Sequence, residues 1–275
     1  MNISYEGKKD NDSEDNCLNN EKLSNIIKDL SIFKNIDDSI ITDIAQDSNL
    51  VKYEVGQPLS KLKIIPNRVH IVLEGQIRLL NINENNYSTI IKLGRGSIIG
   101  LASLLSNNGC EEVSAATQVT ALSIPDKTIL KLYEKEPIFN YFCKTNVFPS
   151  EILFLSNKLL NKCAKLNYSI IEVFNKLVGN IRLINQDQLN SSDPNEIILV
   201  GTNIEGEFEI GDTIKKNKEL ELTNPFKLRL FSLSKLLYDE IIGLQTNTLI
   251  KNEEKINENF SKYTEKAPLY PEKTS

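Results

Sequence analysis

Hydrophobic positions along the chain change their period as it proceeds. Leu23, Ile26, Ile27 and Leu30 recur at helical spacing. Phe33 and Ile36 fall in a connector, and Asp37 or Asp38 suits the cap of a second helix carrying Ile40, Ile41, Ile44 and Ala45. Near Leu50 the period drops to two. Val51 and Tyr53 alternate with polar residues, 69–73 is an apolar run broken only by His70, and 76–82 and 88–93 form two more strands. Gly56-Gln57-Pro58, Glu74-Gly75 and 83–86 punctuate these runs as turns, and a further short strand is predicted over 61–66. Beyond Leu93 come a glycine turn, a short strand at 98–99, one helical turn over 101–105 and a polar turn over 106–109. Val113, Ala115, Thr117, Val119 and Ala121 then alternate again. About eight short strands, with turns roughly every eight to ten residues, predict a jelly-roll barrel. The fold class is mainly β with flanking helices, an α+β arrangement.

After Pro125-Asp126 the helical period returns. One helix carries Ile129, Leu130, Leu132 and Tyr133, and Glu136-Pro137 breaks it. The next holds Ile138, Phe139 and Phe142, and a longer one is predicted over 150–166 with the stripe Ile152, Leu155, Leu159, Cys163 and Leu166. That stripe has two readings: the seam of a homodimer, or an amphipathic face lying on the chain's own barrel. Further on, 170–183 reads as helix, and 197–200, 206–210, 220–222 and 227–231 read as strands. Ser232 is placed to cap a helix over 233–242. Residues 121–136 and 229–241 share the order strand, cap, amphipathic helix, and 206–214 echoes 94–104. Two readings stand: a shortened second copy of the barrel motif without the 101–105 helix, or coincidence. The resulting division is a disordered lead (1–18), a barrel with its C-terminal helix (19–167), a smaller degenerate α+β segment (168–243) and a polar linker or tail (244–275).

Composition narrows the function classes. The chain has 275 residues, 40% apolar and 25% charged, enough for a core and two units. A net charge of −5 and a pI near 5.2 argue against nucleic acid as a partner, since that affinity comes largely from phosphate neutralisation. No apolar run is long enough for a membrane-spanning helix, so no direct membrane insertion is expected, and the polar, acidic start has no signal-peptide core. Cys17, Cys110, Cys143 and Cys163 form no C-x-x-C pair and His70 is the only histidine, so no metal site is expected. Free thiols fit a reducing, cytoplasmic setting. There is no G-x-S-x-G elbow and no G-x-x-x-x-G-K-[ST] loop, and the acidic pairs Asp37-Asp38, Glu111-Glu112 and Glu253-Glu254 read as caps or solvated faces. His70, inside an apolar strand, reads as structural. The expectation is a protein that is not an enzyme.

The stretch 92–125 carries the most specific signal. Gly94 and Gly96 permit a tight turn, and strand, Gly100 and short helix follow, a shape that holds a phosphate on backbone N–H groups. GSIIGLASLL, with VLEGQIRLL upstream, resembles the cyclic-nucleotide-binding domain of the catabolite activator protein superfamily. The resemblance implies a phosphate-binding cassette of the form G-x-F-G-E-x-A-L-L, in which the Glu holds the ribose 2′-hydroxyl. An Arg nine or ten residues later holds the cyclic phosphate. The cassette positions here are Gly96, Ile99, Gly100, Leu101, Ala102, Ser103, Cys110 and Glu111. Leu101 stands at the Glu position, the Arg position falls on Cys110 or Glu111, and no Arg lies between Arg95 and Arg182. A charge-assisted Arg–phosphate contact contributes roughly 1.5–3 kcal/mol, and Glu111 and Glu112 offer negative charge instead. No cofactor is therefore expected: a cyclic nucleotide is disfavoured. Cys110 is a candidate redox thiol, but its acidic neighbours raise its pKa.

The resemblance implies a non-catalytic regulatory or sensor module with a degenerate nucleotide pocket. The alternative is a working cyclic-nucleotide or other small-ligand sensor with an atypical pocket. A transcription regulator of the same superfamily would need a basic helix-turn-helix, yet 181–275 holds 12 Lys+Arg against 16 Asp+Glu (12 − 16 = −4) and shows none. More loosely, 140–155 and 199–214 look similar to the N-terminal regulatory region of bacterial peptide- and protein-exporting ATP-binding cassette transporters. That implies a protein partner, or further domains of a larger transporter.

Overall fold

A computed structural model of the chain describes residues 11–83, 86–163, 168–184, 186–189, 193–202, 208–215 and 228–243. Helix α1 (Asn11–Lys28), a 3-10 turn (Ser31–Phe33) and α2 (Asp38–Asp47) precede the strands. Helix α1 begins at Asn11, inside the span 1–18 expected as a disordered lead. An apolar period reports which turns of a helix are buried, not where the helix starts.

Eight strands follow: β1 (Asn49–Tyr53), β2 (Pro58–Ser60), β3 (Arg68–Glu74), β4 (Ile77–Asn83), β5 (Asn86–Leu93), β6 (Ile98–Ile99), β7 (Val113–Ala115) and β8 (Val119–Pro125). Helix α3 (Leu101–Leu105) lies between β6 and β7. The strands form two antiparallel sheets, β1-β8-β3-β6 and β2-β7-β4-β5, laid face to face as a jelly roll. Val72, Val119 and Ala121 of the first sheet share one core with Leu59, Ile77, Leu79, Val113 and Ala115 of the second. The opposite face of the first sheet carries Val69, Ile71, Leu122 and Ile124 into a second core with the flanking helices. Burial on both faces is why β3 and β8 read as near-continuous apolar runs. The strand expected over 61–66 is instead a loop, and β2 lies earlier. Lys63 takes φ 68°, and the loop is pinned by Lys63 N–H donating to the Gly109 carbonyl (2.7 Å) and Leu62 N–H donating to Glu112 (2.8 Å).

Helices α4 (Asp126–Lys135), α5 (Pro137–Thr145) and α6 (Pro149–Lys162) complete the first unit. On the helical side Phe139 stacks on Phe33, with ring centroids 6.4 Å apart. α6 ends at Lys162 rather than at 166. Its stripe, Ile152, Leu155 and Leu159, is turned inward on the chain itself, in the core of the jelly roll.

The second unit comprises α7 (Ile170–Leu177), β9 (Arg182–Ile184), α8 (Gln186–Leu189), β10 (Glu196–Val200), β11 (Thr213–Ile214), β12 (Leu230–Ser234) and α9 (Lys235–Ile242). β9 occupies the end of the span expected to be helical to 183. The four strands run β9-β12-β10-β11, all antiparallel, which is the order β1-β8-β3-β6 again. The register repeats as well. Gly96 N–H donates to Val72 O and Val72 N–H to Ser97 O; Gly211 N–H donates to Val200 O and Val200 N–H to Asp212 O. Gly96 and Gly211 hold the left-handed turn at φ 85° and 89°. Asp126 N–H donates to Asn67 O at the start of α4, and Lys235 N–H to Asn195 O at the start of α9. The sequence echoes thus mark equivalent elements, with 211–214 matching 96–99. The cap of α9 is Ser234, whose hydroxyl accepts from Leu237 N–H (3.2 Å), not Ser232. The strand expected over 220–222 and the tail over 244–275 lie outside the described residues, as do 1–10. Of the strand expected over 206–210, only an isolated bridge at Phe208 is described.

Candidate functional site

The cassette is built by glycines at positions where a side chain would collide or strain. Gly96 turns the chain out of β5, and the Ser97 hydroxyl ties the turn by donating to Gly94 O (2.6 Å). Ile98 and Ile99 pair with Ile71 and His70 of β3. Gly100 then takes φ 93°, and a Cβ there would sit 2.9 Å from Arg68 O and 3.0 Å from the Pro66 ring. All five residues of α3 are buried. Leu101 is fully buried in the helical core with Phe33, Phe139 and Phe148, and Ala102 joins it. Ser103 accepts from Cys110 N–H (3.2 Å) and lies 3.6 Å from the Cys110 sulfur, so the helix and the loop leading from it to β7 are tied together.

Glu111 is the residue that closes this site. It is only 2% exposed, yet it carries a carboxyl group. One oxygen accepts from Gly100 N–H at 2.5 Å, at the start of α3, and the other accepts from the Ser150 hydroxyl at 2.8 Å, at the start of α6. Burial raises its pKa to about 7; the bonds from Ser150 and Gly100 oppose the rise, and the neighbouring Glu151 charge adds to it. The structure corrects the reading that placed both acids at an anion site: Glu112 turns the other way and accepts from Leu62 N–H in the β2–β3 loop. The Cys110 thiol is buried, and burial followed by Glu111's charge pushes its pKa well above the ordinary range. Such a thiol is a poor nucleophile.

Next to Ser150 lies an ion pair that no local pattern announced. Glu151 receives Arg229 Nε (2.5 Å) and Nη2 (2.8 Å), with both side chains at most 4% exposed. Arg229 also donates to the carbonyls of Cys143 (2.5 Å) and Asn146 (2.8 Å), and its backbone N–H donates to Thr202 Oγ1. Glu151 additionally accepts from Phe148 N–H (2.9 Å), closing the first turn of α6. A polar chain thus runs from Gly100 through Glu111 to Ser150, whose neighbour Glu151 is bound to the strand-leading Arg229 of the second unit. Among the cassette positions, Gly100, Ser103, Cys110 and Glu111 are brought together by these bonds. Gly96 and Ile99 set the backbone path, and Leu101 and Ala102 serve the core.

His70, read as structural, stands on the inner face of β3 with its ring 3.3 Å from the Tyr53 hydroxyl and in edge contact with that ring. Burial and the Arg68 charge lower its pKa to about 4. Sequence reading missed its polar neighbours; the signal was Arg68-x-His70 in an alternating strand, which puts both on one face. Among the described residues no group of three His, Cys, Asp or Glu side chains could hold a metal, and no helix is long and apolar enough to cross a membrane.

Residues 50–136 match the sequence model of the family described as cyclic nucleotide-binding domain. No curated protein sequence matches the chain. Among solved structures, the chain is similar to the regulatory subunit of a cAMP-independent protein kinase A from Trypanosoma brucei, at 17% identity and a TM-score of 0.37. That likeness covers 46% of this chain and 52% of that one. It is also similar to a cAMP-binding acyltransferase from Mycobacterium smegmatis (16% identity, TM-score 0.39, 52% of this chain and 42% of that one). A third is a cyclic nucleotide-binding-like protein from Brucella abortus (16%, 0.36, 42% and 99%). The chain spans about half the length of the kinase subunit. The assignment of a cyclic-nucleotide-binding-like domain rests on the family match together with the strand order and the glycine-built cassette.

Proposed function

We propose that the cyclic-nucleotide-binding-like domain of this chain is a non-catalytic regulatory module whose cassette is latched by its own Glu111 carboxylate instead of by a nucleotide phosphate. The observation that carries this reading is the 2.5 Å bond from Gly100 N–H to Glu111. A backbone donor at a helix start is the part of such a cassette that serves an anion, and here an internal anion takes it. An incoming phosphate would meet a buried carboxyl, because Glu111 is one of the two positions, with Cys110, on which the family's Arg would fall. Leu101, in the apolar core, offers nothing to a ribose hydroxyl. Ser150, Glu151 and Arg229 give the latch a route to the second unit, so the module's output is a change in how the two units engage. Its partner in this reading is a protein in the cytoplasm, or further domains of a larger export transporter of the ATP-binding cassette type, and not nucleic acid.

A second reading rests on the burial of the Glu111 carboxyl. A Glu111 pKa near 7 leaves a neutral fraction at cytoplasmic pH, and a neutral carboxyl repels a phosphate less. Both readings are tested by a thermal shift of the full chain with cAMP, cGMP and cyclic dinucleotides at millimolar concentration, at pH 8 and pH 6. A ligand at a hundred times its Kd stabilises a fold by about 2.7 kcal/mol, which is several degrees. The latch predicts no shift at either pH. A saturable shift at pH 6 alone would favour the atypical sensor, and one at both would overturn the latch.

A further inference from the structure

The inner face of the first sheet ends in polar side chains that the cassette does not use. Arg68 donates through Nε to the Ser123 hydroxyl (2.6 Å) and through Nη2 to Ser123 O (2.8 Å) and Asn49 Oδ1 (3.0 Å). His70 and Tyr53 stand beside it. With β2 and the 61–67 loop, these residues enclose a cleft of about 540 Å³, a size ordinary for small-molecule sites. Val51, Leu59 and Ile64 give it an apolar wall. Arg68 and Lys61 line it, and no acidic residue does.

Two independent observations point to a ligand. First, Ser60 lines the cleft, is only 7% exposed, and its hydroxyl has no hydrogen-bond partner. A buried hydroxyl left unpaired costs about 1–3 kcal/mol. Second, the repeated sheet offers an internal comparison. Asn49 pairs with Ser123 as Arg182 pairs with Ser232, and Arg68 lies two residues before His70 as Glu196 lies two before Ile198. In the second sheet the two equivalent positions close on each other, with Arg182 Nη2 at 2.8 and 2.7 Å from the Glu196 oxygens. In the first sheet the partner position is a neutral Asn, and among the described residues no carboxylate pairs with Arg68. The same place in the fold is self-neutralised in one copy and left with a positive charge facing a cleft in the other.

We propose that this cleft binds a small organic carboxylate with an apolar body. Arg68 is its charge partner, Ser60 and Tyr53 are its hydrogen-bonding groups, and Val51, Leu59 and Ile64 form its apolar wall. With Nε and Nη2 engaged by Ser123 and Asn49, the guanidinium matches one negative charge better than a phosphate dianion, and the walls suit an aliphatic or aromatic body. The low pKa of His70 leaves its ring neutral at cytoplasmic pH, offering one donor and one acceptor. The site stands independently of the cassette reading, since none of its groups bonds to Glu111.

His70 is the only histidine in the chain, so its ring C–H signals report this cleft without ambiguity. The experiment records ¹H–¹³C spectra of the full chain titrated with octanoate, benzoate and, separately, inorganic phosphate, each to millimolar concentration. Saturable movement of the His70 signals with either acid is expected, weakened about tenfold or more in Arg68→Met. Ser60→Ala breaks no hydrogen bond of the folded chain and should weaken it several-fold, which keeps the test decisive if Arg68→Met does not fold. The proposal is overturned by absence of movement with both acids, by movement unchanged in these variants, or by phosphate reproducing it at the same concentration.

Discussion

Glu111 and His70 pull stability in opposite directions across nearly the same pH interval. The Glu111 carboxyl is raised from 4.5 to about 7, by burial first and then, against its hydrogen bonds, by the Glu151 charge. The folded chain therefore keeps a proton that the unfolded chain releases. Its contribution is complete below about 4.5 and is lost as pH rises through about 7. His70 is lowered from 6.5 to about 4 by burial and by Arg68, so its contribution is complete above 6.5 and is lost as pH falls through about 4. Each displacement corresponds to roughly 3 kcal/mol. Between pH 4.5 and 6.5 the two nearly cancel, and single variants should expose each slope. Glu111→Gln removes the charge, its one oxygen keeping the bond from Gly100 N–H while its amide N–H donates to the Ser150 hydroxyl, so stability should fall toward acid; His70→Gln should make it rise toward acid. Glu172, Glu196 and Asp212, whose pKa values are lowered, act below this interval and do not blur it. Urea midpoints measured from pH 4.5 to 8 decide the matter. Identical profiles for the wild type and both variants would remove the assigned ionisations.

Between elements, a buried ion pair ties α6 to the residue that leads into β12. Arg229 is bound to Glu151 and to two carbonyls with almost no exposure, so Arg229→Met leaves a buried carboxylate unpaired. A loss of about 3–5 kcal/mol is expected, and the double variant with Glu151→Met should recover part of it, because removing both charges removes the desolvation cost as well. Equal destabilisation by the single and double variants would mean that packing, not charge, holds this junction. This pair also marks the limit of what the chain's sequence discloses. Strands, the glycine turn and the short α3 were legible because their period and their glycines are local. The repeated sheet was legible as an echo for the same reason. Glu151 and Arg229 are 78 residues apart, and nothing local at either site signals the other. At the cassette, residue identities were legible but directions were not. Glu111 and Glu112 are adjacent and look alike on paper, yet the alternation of the chain sends one to Gly100 and the other to Leu62. The shift of β2 to Pro58–Ser60 has the same origin, since the loop after it is fixed by Gly109 and Glu112 from a distant turn.

At the scale of the molecule, the division at residue 167 suggested by the sequence is not a division of the core. Leu155 and Leu159 of α6 lie in one apolar cluster with Val72 and Leu79 of the jelly roll and with Phe231, Leu233 and Ile241 of the second unit. Surface ion pairs such as Lys162–Asp212 and Lys158–Glu209 bridge the same seam, but each contributes only about 0–1 kcal/mol. The shared apolar cluster and the Arg229 pair therefore do most of the joining. A chain ending at residue 167 would expose the outer side of α6 and orphan Glu151. Losing the burial of a large aliphatic side chain costs about 1.5–3 kcal/mol, so a few such exposures approach the whole stability of an ordinary domain, about 5–15 kcal/mol. The full chain should unfold in one transition, with near- and far-ultraviolet circular dichroism coinciding. The shortened chain should bind a hydrophobic dye and lose its near-ultraviolet signal while keeping helix and strand content. If the shortened chain instead unfolds cooperatively near the wild-type midpoint, the second sheet is an independent domain. The latch at Glu111 would then have no rigid body through which to act. The regulatory reading is tested by this outcome, because the route from Glu111 through Ser150 and Glu151 to Arg229 carries a change of state only through contacts that the two units share.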